Sequence, residues 1–486
     1  MRILQVSAEL FPLLKTGGLA DIAGALPLAL MAADQDVRVL LPGFPAIVAG
    51  VADSVLVAEF GAPWGERVHL RFGRIAISGT TDIPAYWIDA PALYDRPGNP
   101  YEDASRHPYA DNHRRFALLG WAAALLARGL DPQWQPEMVH AHDWHAALAP
   151  AYMAFAPPNG RPRVGSVFTV HNLAYQGLFA PWHFAELGLP SAAFGVNGLE
   201  YHGQLSFMKG GLCFADRITT VSPTYAREIQ TPEQGCGLDG LLRSRAGVLT
   251  GILNAVDDQV WNPATDSLIP HHYDVKRLPG KARCKAALQD ELGLAPLADA
   301  PVFVVVSRLT EQKGLHLVLE GLDGLVAQGG QLALLGSGDA WLENAFRDRA
   351  AANPQSISVT LGYSEPLAHR LFGGGDVTVV PSLFEPCGLT QMYGLKYGSL
   401  PLVHRIGGLA DTVVDTTFED MASGEATGFC FDTFNAANYA RAMRRAFAVY
   451  RRPTDWKAVR ANAMRRPADW GSAASRYIEV YGQALA

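Results

Sequence analysis

Short apolar runs alternate with longer helix-like stretches along almost the whole chain, and this alternation constrains the fold more than any other feature. RILQVSAE, VRVLLP, AYWIDA, MVHAH, VGSVFTV and RITTVS mark the first half; VFVVVSRL, LALLGSG, ISVTLG, VTVVPS and LPLVHR mark the second. Strand, helix and strand in regular succession is the pattern of parallel sheets joined by helical crossovers. Several runs are apolar on both faces, as strands covered by helices on both sides must be. A chain of 486 residues is long for one core, so the expectation is an α/β protein of two doubly wound domains. Strand-like residues give way to a loop rich in Asn, Asp and Pro in VLTGILNAVDDQVWNP, 248–263, which sets the seam there. Residues 1–249 then form the first domain and 250–467 the second.

In open parallel sheets, ligands sit outside the carboxyl ends of the strands. The informative residues are therefore those just after each run: FPLLKTGGLAD, DWHAA, HNLAYQG, RLTEQKG, SGD and LFEPCGLT. Nearly every one sets a charged or imidazole group beside glycine, which points to a functional cleft. The pentapeptide GGLAD occurs twice, at 17–21 after Lys15 and at 407–411 after Arg405. Two glycines before a helix-like run offer a tight turn, close backbone approach and free helix N–H groups. Each copy reads as an anion cradle, one per domain and both aimed at one gap. Arg308 and Lys313 in SRLTEQKG add a planar fork and a point charge, together suited to a diphosphate.

His171 and Asn172 follow the apolar run VGSVFTV, a position that favours a site over core packing. Glu385, in FEPCGLT, has its chain direction fixed by Pro386 and is followed by Gly388, a setting that suits holding sugar hydroxyls or stabilising positive charge. Cys387 has no His-Asn or His-Asp partner pattern that would make it a nucleophile, and it reads as a wall of the site. HAHDWH, 140–145, places His140 and His142 on one strand face with Asp143 as the N-cap of the next helix. It lacks the helical pair spacing of a metal site, so a polar sugar-binding loop is expected and no metal.

The bulk numbers exclude other classes. A net charge of −7 gives no general attraction to nucleic acid or to an anionic membrane. The five cysteines are scattered, with no C-x-x-C pair, as in a reducing cytosol. Gln5 and Glu9 interrupt the N-terminal apolar run, so no signal peptide is read. ALLGWAAALLA ends at Arg128, too short to span a bilayer. GSG at 336–338 lacks the full G-x-G-x-x-G spacing and the acidic residue about 20 positions on that a nicotinamide-dependent oxidoreductase should carry.

Taken together, KTGGLAD, HAHDWHA, VFTVHNLAYQG, SRLTEQKG, FEPCGLTQMYGLKYG and RIGGLADTV closely resemble the bacterial glycogen synthases, kin of the plastid starch synthases. The match runs in order from Glu9 to SRYIEVYGQAL. The resemblance implies a GT-B fold, two Rossmann-like domains facing a cleft. It implies a C-terminal helix, within 468–486, that returns to complete the first domain. It also implies a retaining transfer of glucose from ADP-glucose to the non-reducing end of an α-1,4-glucan, in the cytoplasm and without metal or cofactor.

By motif, the resemblance puts Lys15, Gly18, Arg308, Lys313 and the backbone at Gly388, Leu389 and Thr390 on the donor phosphates. Tyr363 stacks on adenine, and His171 and Glu385 hold the glucose. Glu9, Asp21, Asp143 and Asn254 lie on the sugar and acceptor side. Ala255 stands where the family has glycine, MKGG at 208–211 replaces LKAG, and position 393 is tyrosine where many relatives of this fold carry a second glutamate. The last departure favours the glycogen and starch synthase branch over sucrose and trehalose-type relatives. Alternatives at this stage are a UDP-glucose-using relative and an inactive glucan-binding protein.

Overall fold

The structure is a computed structural model that describes residues 1–78, 81–157, 160–467 and 469–486. Position 468, where the returning segment is expected to begin, lies outside these residues. The chain divides into two units, Met1–Leu253 with Trp470–Ala486, and Asn254–Asp469.

The first unit is built on a nine-stranded sheet. Its order is Leu249–Gly251, Arg217–Thr220, Gly165–Val170, Met138–His142, Arg2–Val6, Asp36–Pro42, Thr81–Asp89, Arg67–Ser78, Val51–Gly61. The first seven strands run parallel, and the last two pair antiparallel. This antiparallel edge was not among the expected runs: Val51–Gly61 is largely exposed, and its apolar stretch at 55–58 is short and broken on both sides by polar residues. Arg2–Val6 lies between Asp36–Pro42 and Met138–His142. The strand order therefore reverses beside the first strand, which is where such sheets open a crevice for ligands.

The C-terminal helix Trp470–Leu485 packs Ala474, Tyr477, Val480 and Tyr481 against Ile3, Ile22, Leu26 and Val167. Small and large residues at helical spacing give it one apolar face.

The second unit holds a six-stranded, all-parallel sheet in the order Ile357–Leu361, Gln331–Gly336, Val302–Val306, Val377–Val380, Leu400–His404, Phe429–Phe431. In chain order that is 3-2-1-4-5-6, the arrangement of dinucleotide-binding folds. VFVVV and VTVV are buried along their length apart from the half-buried Val306, the two-faced burial that their continuous apolar sequence predicts. The order reverses between these two strands, so the loops that follow them, with Arg308 and Lys313 on one and Glu385 on the other, meet at the switch point.

Candidate active site

In the first unit, the loop after Arg2–Val6 is held by Glu9. Its carboxylate accepts from the Thr16 backbone at 2.6 Å, the Gly17 backbone at 3.3 Å, and the hydroxyls of Thr16 and Tyr101. Glu9 is almost fully buried and clasps the turn that leads into helix Gly18–Ala32. Tyr101, 92 positions away, had no sequence signal. Lys15 donates to Asp21 at 2.7 Å, so the basic and acidic ends of KTGGLAD pair with each other. Gly17 has an extended backbone, no side chain caps the helix it precedes, and a Cβ at Gly17 or Gly18 would meet nothing within 4 Å. Neither glycine is required by the protein's own packing.

Asp143 follows strand Met138–His142. It does not cap its own helix; the cap position is His142, without a side-chain bond. Its backbone is left-handed, φ 56°, a conformation that costs about 1–3 kcal/mol at a non-glycine residue. The carboxylate instead accepts from the backbone N–H of His171 at 3.0 Å and of Asn172 at 3.4 Å. Burial raises its pKa to about 7 against those two bonds. Two strand-end loops are thereby tied together.

His171 is half-buried, and burial lowers its imidazole to about 3. Its Nε2 lies 3.0 Å from His142 Nδ1. His140, His142 and His145 are buried, and burial pushes His140 and His145 to about 3 and His142 well below its usual value. The three imidazoles of HAHDWH are neutral groups that do not converge on one point.

A different trio does converge. Ligand atoms of His113, His183 and Glu186 lie within 4.8 Å of one another. His183 and Glu186 lie 70 and 73 positions after His113, which hid the group in the sequence. The His113 and His183 rings stack at 3.7 Å, and Glu186 takes bonds from both imidazoles and from Arg114. Burial works against that carboxylate, yet the three donors hold it near 2. Arg114 already supplies the cation on this carboxylate.

In the second unit, Lys313 Nζ and Ser382 Oγ both donate to Glu385 Oε2, at 2.7 and 2.8 Å. The lysine and glutamate side chains are 20% and 11% exposed, which is buried enough to strengthen the pair beyond a surface salt bridge. Arg308 is exposed on the loop after Val302–Val306. Tyr363, in the loop after Ile357–Leu361, presents 73% of its surface to solvent.

Cys387 is buried, and burial pushes its thiol up to about 12 despite bonds from Asn254. The thiol therefore stays protonated at neutral pH, which argues against a nucleophile. Asn254 Oδ1 is buried and without a hydrogen-bond partner among the described residues.

Gly388 has φ 71°, and a Cβ there would strike Gln391 Oε1 at 2.4 Å. Gln391 Nε2 clamps the carbonyls of Cys387 and Gly388, both at 2.9 Å; sequence reasoning did not find this residue. Leu389 then caps helix Thr390–Tyr397, with no side chain on its first N–H groups. Tyr393 stacks on Trp261 at 3.9 Å, and Trp261 stacks on His369 at 3.7 Å, so the position where many relatives carry glutamate is here an aromatic packing position.

The second GGLAD corrects the expectation of two equivalent cradles. Gly407 and Gly408 lie beneath the Glu385 loop: Gly408 N–H donates to the carbonyls of Glu385 and Pro386, each at 3.1 Å. A Cβ would lie 2.0 Å from Glu385 O at Gly407 and 2.1 Å from Cys387 O at Gly408. Arg405 pairs with Asp432 and Asp415. This copy is a floor for the Glu385 loop, whereas the first is open.

Comparison with known proteins gives the family and the fold. The family described as "Starch synthase catalytic domain" matches residues 2–244, and "Glycosyl transferases group 1" matches 294–459. The chain is 77% identical over 490 residues to a protein named glycogen synthase from Variovorax paradoxus, covering 100% of this chain and 99% of that one. It is 55% identical to a glycogen synthase of Francisella philomiragia, covering 99% and 100%. Among solved structures, the catalytic domain of starch synthase IV from Arabidopsis thaliana, bound to ADP and acarbose, superposes with a TM-score of 0.89 at 30% identity over 99% of both chains. A sucrose-phosphate synthase from Thermosynechococcus elongatus shares the fold at a TM-score of 0.58 and 15% identity.

Proposed function

Because the chain belongs to the glycogen synthase family, with two Rossmann-like units of the GT-B class, we propose that it moves glucose from ADP-glucose to the non-reducing end of an α-1,4-glucan with retention of configuration. The observation that carries the reading is the Lys313–Glu385–Ser382 cluster at the sheet's switch point, with an exposed guanidinium, Arg308, on the same loop as Lys313.

Retention requires the acceptor to arrive on the face the nucleotide leaves. A double displacement would need a second carboxylate about 5 Å from the first, and position 393, where many relatives of this fold carry a second glutamate, is a tyrosine stacked on Trp261. The mechanism proposed is front-face. Arg308 and Lys313 stabilise the leaving diphosphate, helped by the uncapped helix start at Leu389 and Thr390. The diphosphate takes the acceptor proton as the glycosidic bond breaks. Glu385 and His171 stabilise the positive charge that develops on the sugar.

Lys15 reaches phosphate by exchanging its Asp21 partner, and the bare surface at Gly18 lets the ligand approach the backbone closely. Tyr363 supplies a face for adenine, and Glu9, Asp143 and Asn254 shape the acceptor side. Among the described residues no helix is long and apolar enough to cross a membrane; the scattered cysteines, without a C-x-x-C pair, fit a reducing compartment and support placing the enzyme in the cytoplasm.

The test is glucose incorporation into glycogen from ADP-glucose and UDP-glucose in parallel, with and without EDTA. Incorporation from ADP-glucose that chelation leaves unchanged is the expected result. No incorporation from either donor by folded protein would overturn the assignment in favour of a glucan-binding role.

A further inference from the structure

Behind His171 runs a buried line of hydrogen bonds that the reaction scheme does not use. His171 Nε2 meets His142 Nδ1 at 3.0 Å, and His142 Nε2 meets Gln5 Oε1 at 2.6 Å. Gln5 Nε2 donates to the Tyr481 hydroxyl at 3.0 Å, and that hydroxyl lies 2.8 Å from His140 Nδ1. His140 Nε2 lies 2.5 Å from Thr169 Oγ1, which in turn contacts Thr219. Gln5 is 3% exposed, His142 1%, and Tyr481, His140 and Thr169 are fully enclosed, and each link is a direct contact between side chains.

The amide of Gln5 is the one member whose two ends have fixed polarity: its oxygen only accepts and its nitrogen only donates. His142 Nε2 must therefore carry a hydrogen. A neutral His142 then has a bare lone pair at Nδ1, and only a donor can face it, so His171 carries its hydrogen on Nε2. On the other side, Gln5 donates into the Tyr481 oxygen, which frees the Tyr481 hydrogen for His140. His140 then donates to Thr169, and Thr169 to Thr219. All the bonds point the same way, from His171 inward, an arrangement in which each bond polarises the next.

We propose that Gln5, His142 and Tyr481 are positioning residues that lock His171 in the Nε2–H tautomer, leaving Nδ1 as a fixed acceptor for a hydroxyl hydrogen of the transferred sugar. This rests on the reading that His171 faces the glucose. In this role His171 does not pass a proton; it selects a hexose that offers a hydroxyl at that point. The C-terminal helix, through Tyr481, takes part in setting the site chemistry.

Imidazole ¹⁵N chemical shifts of the full-length protein, labelled at histidine, test the proposal directly, with His171 assigned from the resonances missing in His171→Asn. The expected wild-type spectrum has His171 protonated at Nε2 and bare at Nδ1; the opposite tautomer would overturn the proposal. In Gln5→Met, which keeps the volume but loses the amide, and in Tyr481→Phe, which keeps the ring in the core, His171 should show a mixture of tautomers. Both variants should lose roughly tenfold or more in kcat, as expected for a misaligned group, with KM for ADP-glucose changed little. A tautomer unchanged in both variants would also overturn the proposal. Adding ADP-glucose without glucan separates the two layers: His171 shifts that move support its place at the sugar, and shifts that stay fixed refute that place even where the tautomer is as expected.

Discussion

Glu385 has one carboxylate oxygen committed to Lys313 and Ser382, and this commitment fixes its direction in a loop that has little regular structure of its own. Removing a well-aimed electrostatic group from a reaction centre costs about 3 kcal/mol, a hundredfold or more in rate. Glu385→Ala and Lys313→Ala should each lose at least that much kcat while their circular dichroism spectra match the parent. Turnover near the parental value in either variant would remove the pair from the mechanism. The two effects should not add, because the residues contact each other and each substitution already disables the pair; Glu385→Ala/Lys313→Ala should be little slower than the worse single variant.

At the scale of elements, identical pentapeptides perform different tasks, and their neighbours decide which. Gly18→Ala adds a methyl group that meets nothing, at a position that opens a helix, so stability should hold or rise by about 0.4–1 kcal/mol. The KM for ADP-glucose should nonetheless increase, because the open surface serves the ligand. Gly408→Ala forces the Glu385–Cys387 backbone to move, since its methyl group would sit 2.1 Å from Cys387 O, and kcat should fall at least tenfold. Equal effects of the two substitutions on urea midpoint and kinetics would contradict the distinction.

The sequence could not separate these copies, because GGLAD reports only backbone freedom, and the loop packed over Gly408, Glu385 to Cys387, lies outside the motif. Strand ends were legible, since the runs VFVVV and VTVVPS give out close to where burial gives out, and this put Arg308, Glu385 and His171 in the loops just after strands. The exposed antiparallel edge of the first sheet was not legible, nor was the role of Asp143. Its side chain serves the backbone of His171, 28 positions on, rather than its own helix. The line through Gln5 and Tyr481 spans 476 positions and leaves no local pattern at all.

For the whole molecule, the C-terminal helix and the buried histidines set how stability depends on chain length and on pH. Tyr477, Val480 and Tyr481 are buried against the first unit, and burying side chains of this size is worth ~1.5–3 kcal/mol each. Deleting 470–486 therefore removes roughly 5–9 kcal/mol, comparable with the net stability of an entire domain; the truncated chain should be insoluble or lack a cooperative thermal transition. Normal melting and activity would show that the helix is dispensable.

The pH dependence follows from the same core. His140, His142 and His145 are buried neutral, with pKa values pushed below that of free imidazole, near 6.5, by loss of solvent. Between pH 6.5 and about 3 the unfolded chain binds protons that the folded chain refuses, so each imidazole withdraws stability as pH falls, by up to about 1.4 kcal/mol per pH unit. Asp143 acts in the opposite sense: its carboxyl, raised to about 7, is protonated more readily in the folded state, and it adds stability as pH falls from 7 toward 3.8. Glu186, held near 2, contributes only below about 4.5 and does not affect the upper part of this window. His171, also lowered to about 3, acts in the same sense, and with four imidazoles against the carboxyl of Asp143 the urea midpoint should drop steadily from pH 7 to pH 5. His140→Gln, which can keep one accepted and one donated bond without titrating, should flatten that slope; a midpoint that is constant or rises on acidification would refute the neutral, buried state of the cluster.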